Sequence, residues 1–172
     1  MPTSVPVLER LCKIPLGQVG FCKTRKNIDG RLFTLDYSNI SSFSANPIEK
    51  KPFFHFYPGS YAFTFGSWSC NFMCPWCQNY EISKYAPDPN TCNYASPQKV
   101  IRLMKAKRCQ GVSISFNEPT LLLEYALDVF DLAMGEGFYN TYVTNGYMTL
   151  DALELLMEHG LDAANFDVKR DE

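Results

Sequence analysis

The amino-acid sequence predicts an α/β protein: a partial (β/α) barrel of about four parallel strands, preceded by a small irregular segment that contains cysteines. Two observations predict this fold. From residue 61 onward, short apolar strand-like segments alternate with amphipathic helical segments, and the connections between them are short. Polar residues also follow the end of each strand, where ligands bind in parallel α/β folds. We therefore divide the chain into residues 1–59 and a partial barrel of residues 60–172.

Residues 1–59 show little regular patterning. Gly17 and Gly20 indicate tight turns. Residues 31–37 alternate apolar and polar side chains, which predicts a short strand. Residues 46–53 contain two prolines, and they predict a loop because proline lacks the amide N–H that a strand ladder uses.

Four strands and three helices are predicted in the second part. Ser96 and Thr149 are the expected N-caps of the first and third helices, since a hydroxyl group can accept from the free N–H groups of a first turn. Pro97 suits the first helical position, and Gly160 suits a helix end. The predicted strands are residues 61–65, 111–116, 142–144 and 163–169, and the predicted helices are residues 96–107, 120–136 and 149–159.

Composition excludes several classes of function. The 172 residues are 46% hydrophobic and 20% charged with a net charge of −2, which is typical of a globular protein with an apolar core. A nearly neutral chain offers no basic surface to nucleic acid or to anionic membranes. No apolar run has the length of a membrane helix or the pattern of a signal peptide. Seven cysteines, three of them on one loop, favour metal-bound thiolates in a reducing cytoplasm over disulfides.

Cys70, Cys74 and Cys77 are the most informative residues, because they place three thiolates on eight residues in the spacing C-x3-C-x2-C. Three soft ligands on one short loop suit an iron–sulfur cluster. A cubane of four irons held by three cysteines leaves one iron free to bind another molecule. The alternative is a structural zinc site whose fourth ligand comes from elsewhere. The candidates for that fourth ligand are Cys92, Cys12 and Cys22.

Polar residues at the ends of three further strands are candidates for the same site. Asn117 and Glu118 follow the second strand, although a glutamate here also suits a helix start. Thr144 and Asn145 follow the third, where Asn-Gly is also a common turn. Asp167 and Lys169 close the fourth; two residues apart on a strand they share a face, so they contact a ligand or pair with each other. Trp76, next to Cys77, flanks a bound ring or belongs to the core.

The cysteine motif, with an aromatic residue just before its third cysteine and after a first strand, resembles that of radical S-adenosylmethionine (SAM) enzymes. The wider sequence is similar to pyruvate formate-lyase activating enzymes and, more closely, to the AmmeMemoRadiSam-system radical SAM proteins. The resemblance covers nearly all of residues 12–169. The segments that carry it are residues 46–52, 56–60, 77–83, 117–120 with 124–125, 143–147 and 163–169.

This resemblance implies a TIM-like radical SAM barrel with two cofactors. Cys70, Cys74 and Cys77 would ligate three irons of a [4Fe–4S] cluster, and SAM would chelate the fourth iron. A reductant such as flavodoxin or ferredoxin would supply the electron that cleaves SAM to methionine and a 5′-deoxyadenosyl radical, which abstracts a hydrogen from a substrate. The resemblance implies no catalytic side chain beyond these cofactors.

The resemblance also implies roles for individual residues. The main chain near Trp76 would lie against the adenine. Asn117 and Glu118 occupy the place of the family's Gly-Gly-Glu, which meets the methionine amino group, and here Phe116 and Asn117 replace the two glycines. The remaining SAM contacts, along the ribose and methionine moiety, would be Thr144, Asn145, Asp167 and Lys169.

Two departures from the family affect these expectations. The N-terminal segment lacks the further cysteines that the family carries before Cys12, which leaves the role of Cys12 and Cys22 open. About four strands are fewer than the family's barrels contain, so we expect a C-terminally truncated chain whose uncovered edge strand leads to aggregation, dimerisation or inactivity.

Three functions remain open at this point. The first is a radical SAM enzyme, or its N-terminal part, whose substrate is a small molecule or a protein such as a glycyl-radical enzyme. The second is a non-catalytic iron–sulfur or zinc-binding module. The third is a redox carrier that uses the cluster only for electron transfer.

Overall fold

A five-stranded sheet with four neighbouring parallel strands forms the centre of the protein. This computed structural model describes residue 2 and residues 5–90 and 93–169. The five strands are β3 (Ser42–Pro47), β4 (Tyr61–Gly66), β5 (Gly111–Ile114), β6 (Tyr139–Thr144) and β7 (Ala163–Phe166). They lie side by side in this order; β4 to β7 run parallel, and β3 is antiparallel to β4. The four predicted strands are thus present and parallel.

Helices connect successive parallel strands, as the alternating pattern predicts. One short helix follows the cysteine loop, and each of the other three precedes a strand of the sheet. Their bounds are α1 (Tyr80–Ser83), α2 (Pro97–Ala106), α3 (Leu123–Gly135) and α4 (Leu150–Glu158). In the described part of the chain no helix is long and apolar enough to cross a membrane.

The predicted N-caps of two helices are confirmed. Ser96 accepts a hydrogen bond from the N–H of Lys99 at the start of α2, and Thr149 accepts one from the N–H of Ala152 at the start of α4. The predicted helix over residues 120–136 is shorter than expected. Its first turn, Pro119–Leu122, is a 3-10 helix whose N-cap side chain is Glu118, and the α-helix begins at Leu123.

The sheet has two different faces, because side chains alternate along each strand. Phe63, Phe65 and Ile114 point to the face covered by the helices and belong to the main apolar core. Thr64, Ser113 and Thr141 form a row of small hydroxyl side chains on the other face, since they are register partners across the sheet. That inner face is covered by residues 48–60, a segment that leaves β3 and returns to β4 and that we name the crossing segment.

Two predictions for the N-terminal part are corrected. The strand predicted over residues 31–37 is present but shorter, as β2 (Arg31–Thr34), and it pairs in a hairpin with β1 (Arg25–Ile28), which was not predicted. Its turn uses Asp29 and Gly30, both with positive φ, the geometry of a two-residue hairpin turn. The loop predicted over residues 46–53 is wrong for residues 46–47, which end β3; Pro47 is tolerated there because β3 is an edge strand.

The division of the chain at residues 59 and 60 stays a prediction. β3 precedes that boundary and yet pairs with β4 along its whole length. At the other end of the sheet, β7 pairs with β6 alone within the described residues.

Candidate functional site

The cysteine loop lies at the carboxyl end of β4 and is folded back onto α1. Ser69, which has a φ of 67°, donates its N–H to the carbonyl of Ile82 at 2.8 Å. The Cys77 thiol lies 3.2 Å from the Ser83 hydroxyl, and Lys84 Nζ donates to the carbonyl of Cys74 at 3.2 Å. The short helix α1 therefore fixes the loop that presents the three thiols.

One cavity of about 550 Å³ joins this loop to the other strand ends. A cavity of this volume suits a drug-sized ligand. Nine of the ten residues that the sequence places in the site line it: Cys70, Cys74, Trp76, Cys77, Asn117, Thr144, Asn145, Asp167 and Lys169. They come together because parallel strands all end at the same edge of the sheet.

The tenth residue, Glu118, lies directly behind the cavity wall and is 1% exposed. Its Oε1 accepts from Thr144 Oγ1 at 2.7 Å and from the N–H and hydroxyl of Thr120, while its Oε2 accepts from the N–H of Asn145 at 2.8 Å. Burial raises the pKa of Glu118, and these donated hydrogen bonds oppose that rise. Glu118 therefore holds the ends of β5 and β6 together.

Asn145 also ties the end of β6 to the cysteine loop. Its Nδ2 donates to the Oδ1 of Asn71 at 2.8 Å, and Asn71 is fully buried next to Cys70. A displacement of the cysteine loop would therefore also move Asn145. Because the N–H of Asn145 donates to Glu118, it would disturb that carboxylate as well.

Phe116 and Asn117 keep the backbone conformation that glycine favours. Their φ angles are 65° and 47°, in the left-handed region that is costly for a residue as bulky as phenylalanine. Asn117 Nδ2 donates to the carbonyl of Ser67 at 2.7 Å, while its buried Oδ1 has no hydrogen-bond partner in the described residues. The chain thus reaches the cavity wall in a strained conformation and presents a free acceptor there.

Asp167 and Lys169 are placed differently from the prediction. β7 ends at Phe166, so these two residues lie beyond the strand rather than on one of its faces. Both line the cavity, but Asp167 is exposed, and Lys169 Nζ donates to its Oδ2 at 2.8 Å. In this structure Asp167 and Lys169 therefore form a charge pair with each other at the end of the sheet, which was the alternative to a ligand contact.

The three thiols make the cavity a place for a cation. Burial is the main reason why the pKa of Cys70 is raised to about 11, and the charges of Glu118, Cys77 and Cys74 raise it further. Three thiolates that line one cavity need a positive centre, which an iron–sulfur cluster supplies. The chemistry of this donor set therefore fits a cluster.

Cys12, Cys22 and Cys109, the other cysteines that the structure describes, lie outside the cavity that this loop lines. In the described part of the chain, no group of three or more His, Cys, Asp or Glu side chains is placed to hold a metal ion. A cubane takes one cysteine at each of three corners, so its ligands sit further apart than those of one ion. Cys12 and Cys22, two of the candidate fourth zinc ligands, line a separate cavity of about 270 Å³. Cys92, the third candidate, lies outside the described residues.

Two lysines of the cavity were not predicted as site residues. Lys50 and Lys51 line the cavity from the crossing segment, and Lys51 is 7% exposed. Their place depends on how residues 48–60 fold over the sheet, which no local pattern reveals. The similarity of residues 46–52 to known relatives was the one available signal.

Comparison with known proteins agrees with this geometry. The family model described as "Radical SAM superfamily" matches residues 69–170, which is more than half of the chain. The chain belongs to the radical SAM superfamily. Members of this superfamily use a [4Fe–4S] cluster and SAM. The matched residues run from the cysteine loop through all the strand ends that line the cavity.

Two relatives from Methanocaldococcus jannaschii are similar in sequence. The chain is 36% identical over 163 residues to "Uncharacterized protein MJ0808", covering 95% of this chain and 48% of that protein. It is 29% identical over 92 residues to "Uncharacterized protein MJ0674", covering 51% of this chain and 27% of that protein. The chain thus spans about half the length of the first relative.

The fold is also found among solved structures. QueE from Escherichia coli superposes with a TM-score of 0.53 and 14% sequence identity, over 80% of this chain and 61% of that chain. At this identity the likeness concerns the fold alone. Together with the family match it confirms the predicted α/β partial barrel.

Proposed function

We propose that this chain is the cluster- and SAM-binding part of a radical SAM enzyme, or the enzyme itself. The observation that carries the proposal is one cavity at the carboxyl end of a parallel sheet, lined by all three motif cysteines and by the polar ends of three strands. A ligand in this cavity contacts the cysteine loop and those strand ends at once. No side chain beyond the two cofactors is needed for the chemistry we propose.

Each part of the cavity has a proposed task. Cys70, Cys74 and Cys77 hold the [4Fe–4S] cluster, and its fourth iron is left for SAM. Asn117 lies at the methionine end of SAM, where its free Oδ1 accepts from an amino group, and Glu118 supports that end from behind the cavity wall. The remaining SAM contacts are Trp76, Thr144, Asn145, Asp167 and Lys169. When bound, cluster and SAM supply one-electron cleavage of a sulfonium and hydrogen-atom abstraction.

The chain's own residues position the cofactors and exclude water. Glu118 orients Thr144 and Asn145 through the hydrogen bonds described above, and it touches the SAM site only through them.

Trp76 and Met73 are more than half exposed on the cysteine loop, so an electron donor such as flavodoxin or ferredoxin can approach the cluster from that side. We place the protein in the cytoplasm, because the motif requires reduced thiols.

The subgroup is proposed from the sequence resemblance. We propose a protein similar to pyruvate formate-lyase activating enzymes, and closer to the AmmeMemoRadiSam-system proteins. Its substrate is then a glycyl-radical protein, another protein or a small molecule. A small-molecule substrate is the alternative that the cavity supports best, as argued below.

Anaerobic reconstitution with iron and sulfide tests the proposal. After reduction we expect an electron paramagnetic resonance signal of a [4Fe–4S]⁺ cluster, and a change of that signal when SAM is added. Cys74→Ala should lose this signal. Cys109→Ala is its matched control and should keep the signal, because Cys109 is buried between α2 and β5, away from the cavity. A signal that ignores SAM would favour a redox carrier, and bound zinc without a cluster would favour a structural module.

A further inference from the structure

The crossing segment places Lys51 in the wall of the cavity. Residues 48–60 begin and end side by side, since the N–H of Ile48 donates to the carbonyl of Ser60 at 2.9 Å. Phe53 and Ile48 pack on the inner face of the sheet against Ala62 and Tyr139. The carbonyl of Pro52 accepts from Asn165 Nδ2 on β7 at 3.4 Å. The segment therefore spans the inner face from β3 to β7, and this fixes the position of Lys51.

Lys51 is a buried cation without an anionic partner. The residue is 7% exposed, and its Nζ lies 4.7 Å from the centroid of the Phe116 ring. Within residues 5–90 and 93–169, no carboxylate lies within salt-bridge distance of this ammonium group. Burial lowers the pKa of Lys51, and the neighbouring charge of Lys50 lowers it further.

The cavity offers Lys51 no carboxylate of its own. Asp167 is bonded to Lys169, and both oxygens of Glu118 are occupied by Thr120, Thr144 and Asn145. An aromatic face stabilises a nearby cation, but this offsets only part of what it costs to bury one. A ligand that brings an anionic group into the cavity would compensate for the rest.

We propose that Lys51 binds an anionic group, a carboxylate or a phosphate, on a small-molecule substrate. This inference rests on the proposed function, because it assigns the space that the SAM contacts leave over in the same cavity. Lys50 lines that cavity as well and adds a second positive charge near the ligand. A small molecule is favoured because Lys51 lines the cavity and the residue as a whole is only 7% exposed.

Anion binding to the reconstituted, SAM-loaded protein tests the proposal. Succinate, inorganic phosphate and the neutral analogue succinamide are titrated calorimetrically at constant ionic strength. We expect succinate or phosphate to bind and succinamide not to bind, and the anion that binds identifies the ligand's group. Lys51→Gln should weaken that binding at least tenfold, while Lys51→Arg retains it. The control Lys99→Gln changes an exposed lysine on α2, outside the cavity.

A second measurement, thermal unfolding, compares the stability of the wild type with that of a variant. Because Lys51 is an unpaired buried cation, Lys51→Met should unfold at a higher temperature than the wild type in the absence of anions. The binding anion should then raise the unfolding temperature of the wild type only.

Two results would overturn the inference. The first is that neither anion binds the wild type, or that Lys51→Gln binds it equally well. The second is that Lys51→Gln weakens the binding of SAM itself tenfold, which would assign Lys51 to the carboxylate of SAM. The change of the electron paramagnetic resonance signal on adding SAM, measured in the same samples, separates the proposed function from the proposed role of Lys51. If that response is present and anion binding is absent, only the role of Lys51 fails.

Discussion

Glu118 shows how much of the site depends on one buried side chain. It donates no hydrogen bond in this structure, and its two oxygens accept from the residues that end β6. A carboxylate can accept at both oxygens, whereas an amide accepts at one only. The identity of this residue therefore decides whether Thr144 and Asn145 are held together.

Glu118→Gln should lower the free energy of unfolding by about 1–3 kcal/mol. The amide group of glutamine would face the N–H of Asn145 or the donors at Oε1, which leaves buried donors unpaired. Urea unfolding at pH 7 measures the change. Glu154→Gln is the matched control, because Glu154 is exposed on α4, and it should change the value by less than about 0.5 kcal/mol. Equal stability of the two variants would contradict the account.

Asp36 is a second buried carboxyl group, and it gives the protein a predictable pH dependence. It is 0% exposed and accepts from the N–H of Trp68 at 3.3 Å, just before the cysteine loop. Burial raises the pKa of Asp36 from its usual 3.8 to about 7, although the hydrogen bonds of Ser67 and Trp68 and the charge of Arg25 oppose the rise. The folded state therefore holds the proton more tightly than the unfolded state does.

The free energy of unfolding should fall as the pH rises from about 4 to about 7. Between pH 4 and pH 7 the unfolded chain binds fewer protons at Asp36, so this group reduces the free energy of unfolding by up to about 4 kcal/mol. Asp36→Asn should match the wild type near pH 4.5 and exceed it near pH 8. Urea unfolding at several pH values checks this. Asp151 is exposed, so Asp151→Asn should show the same pH dependence of the free energy of unfolding as the wild type. If Asp36→Asn also shows the wild-type pH dependence, the prediction is refuted.

At the scale of elements, local signals were predictable and distant pairings were not. The caps Ser96 and Thr149 act within one turn, so their sequence neighbours reveal them. β3 pairs with a strand that begins fourteen residues after β3 ends, and its proline suggested a loop. The end of β7 was placed three residues too late, because the apolar pattern continues past Phe166 through Val168.

Gly66 tests the close packing between two elements at the cavity. A Cβ atom at Gly66 would lie 2.4 Å from the carbonyl oxygen of Ser115, which is backbone and cannot rotate away. Gly66→Ala should therefore destabilise the protein by about 1–3 kcal/mol and displace the cysteine loop that follows.

The matched control is Gly135→Ala at the end of α3. A Cβ atom there meets nothing within 4 Å, so this variant should be as stable as the wild type or slightly more stable. Thermal unfolding of both variants measures the difference. Unchanged stability of Gly66→Ala would mean that β4 and residue 115 are not packed as described.

At the scale of the whole molecule, topology explains why the site was predictable in part. Residues spread over about 100 positions of the chain reach one cavity because four parallel strands end at the same edge. Lys51 was not predicted, since its place depends on a segment that folds across the inner face. The left-handed backbone of Phe116 is unexpected for its residue type, whereas Asn117 is of a type enriched in that region, and both stand at the place of the family's two glycines.

Mössbauer spectroscopy of protein reconstituted with ⁵⁷Fe tests the central claim most directly, namely that three cysteines hold a cluster with one open iron. The account predicts a [4Fe–4S] spectrum in which one iron of the four changes its isomer shift when SAM is added. That spectrum should be lost in Cys74→Ala and kept in Cys109→Ala. Absence of a cluster in the wild type, or four irons that all ignore SAM, would contradict it.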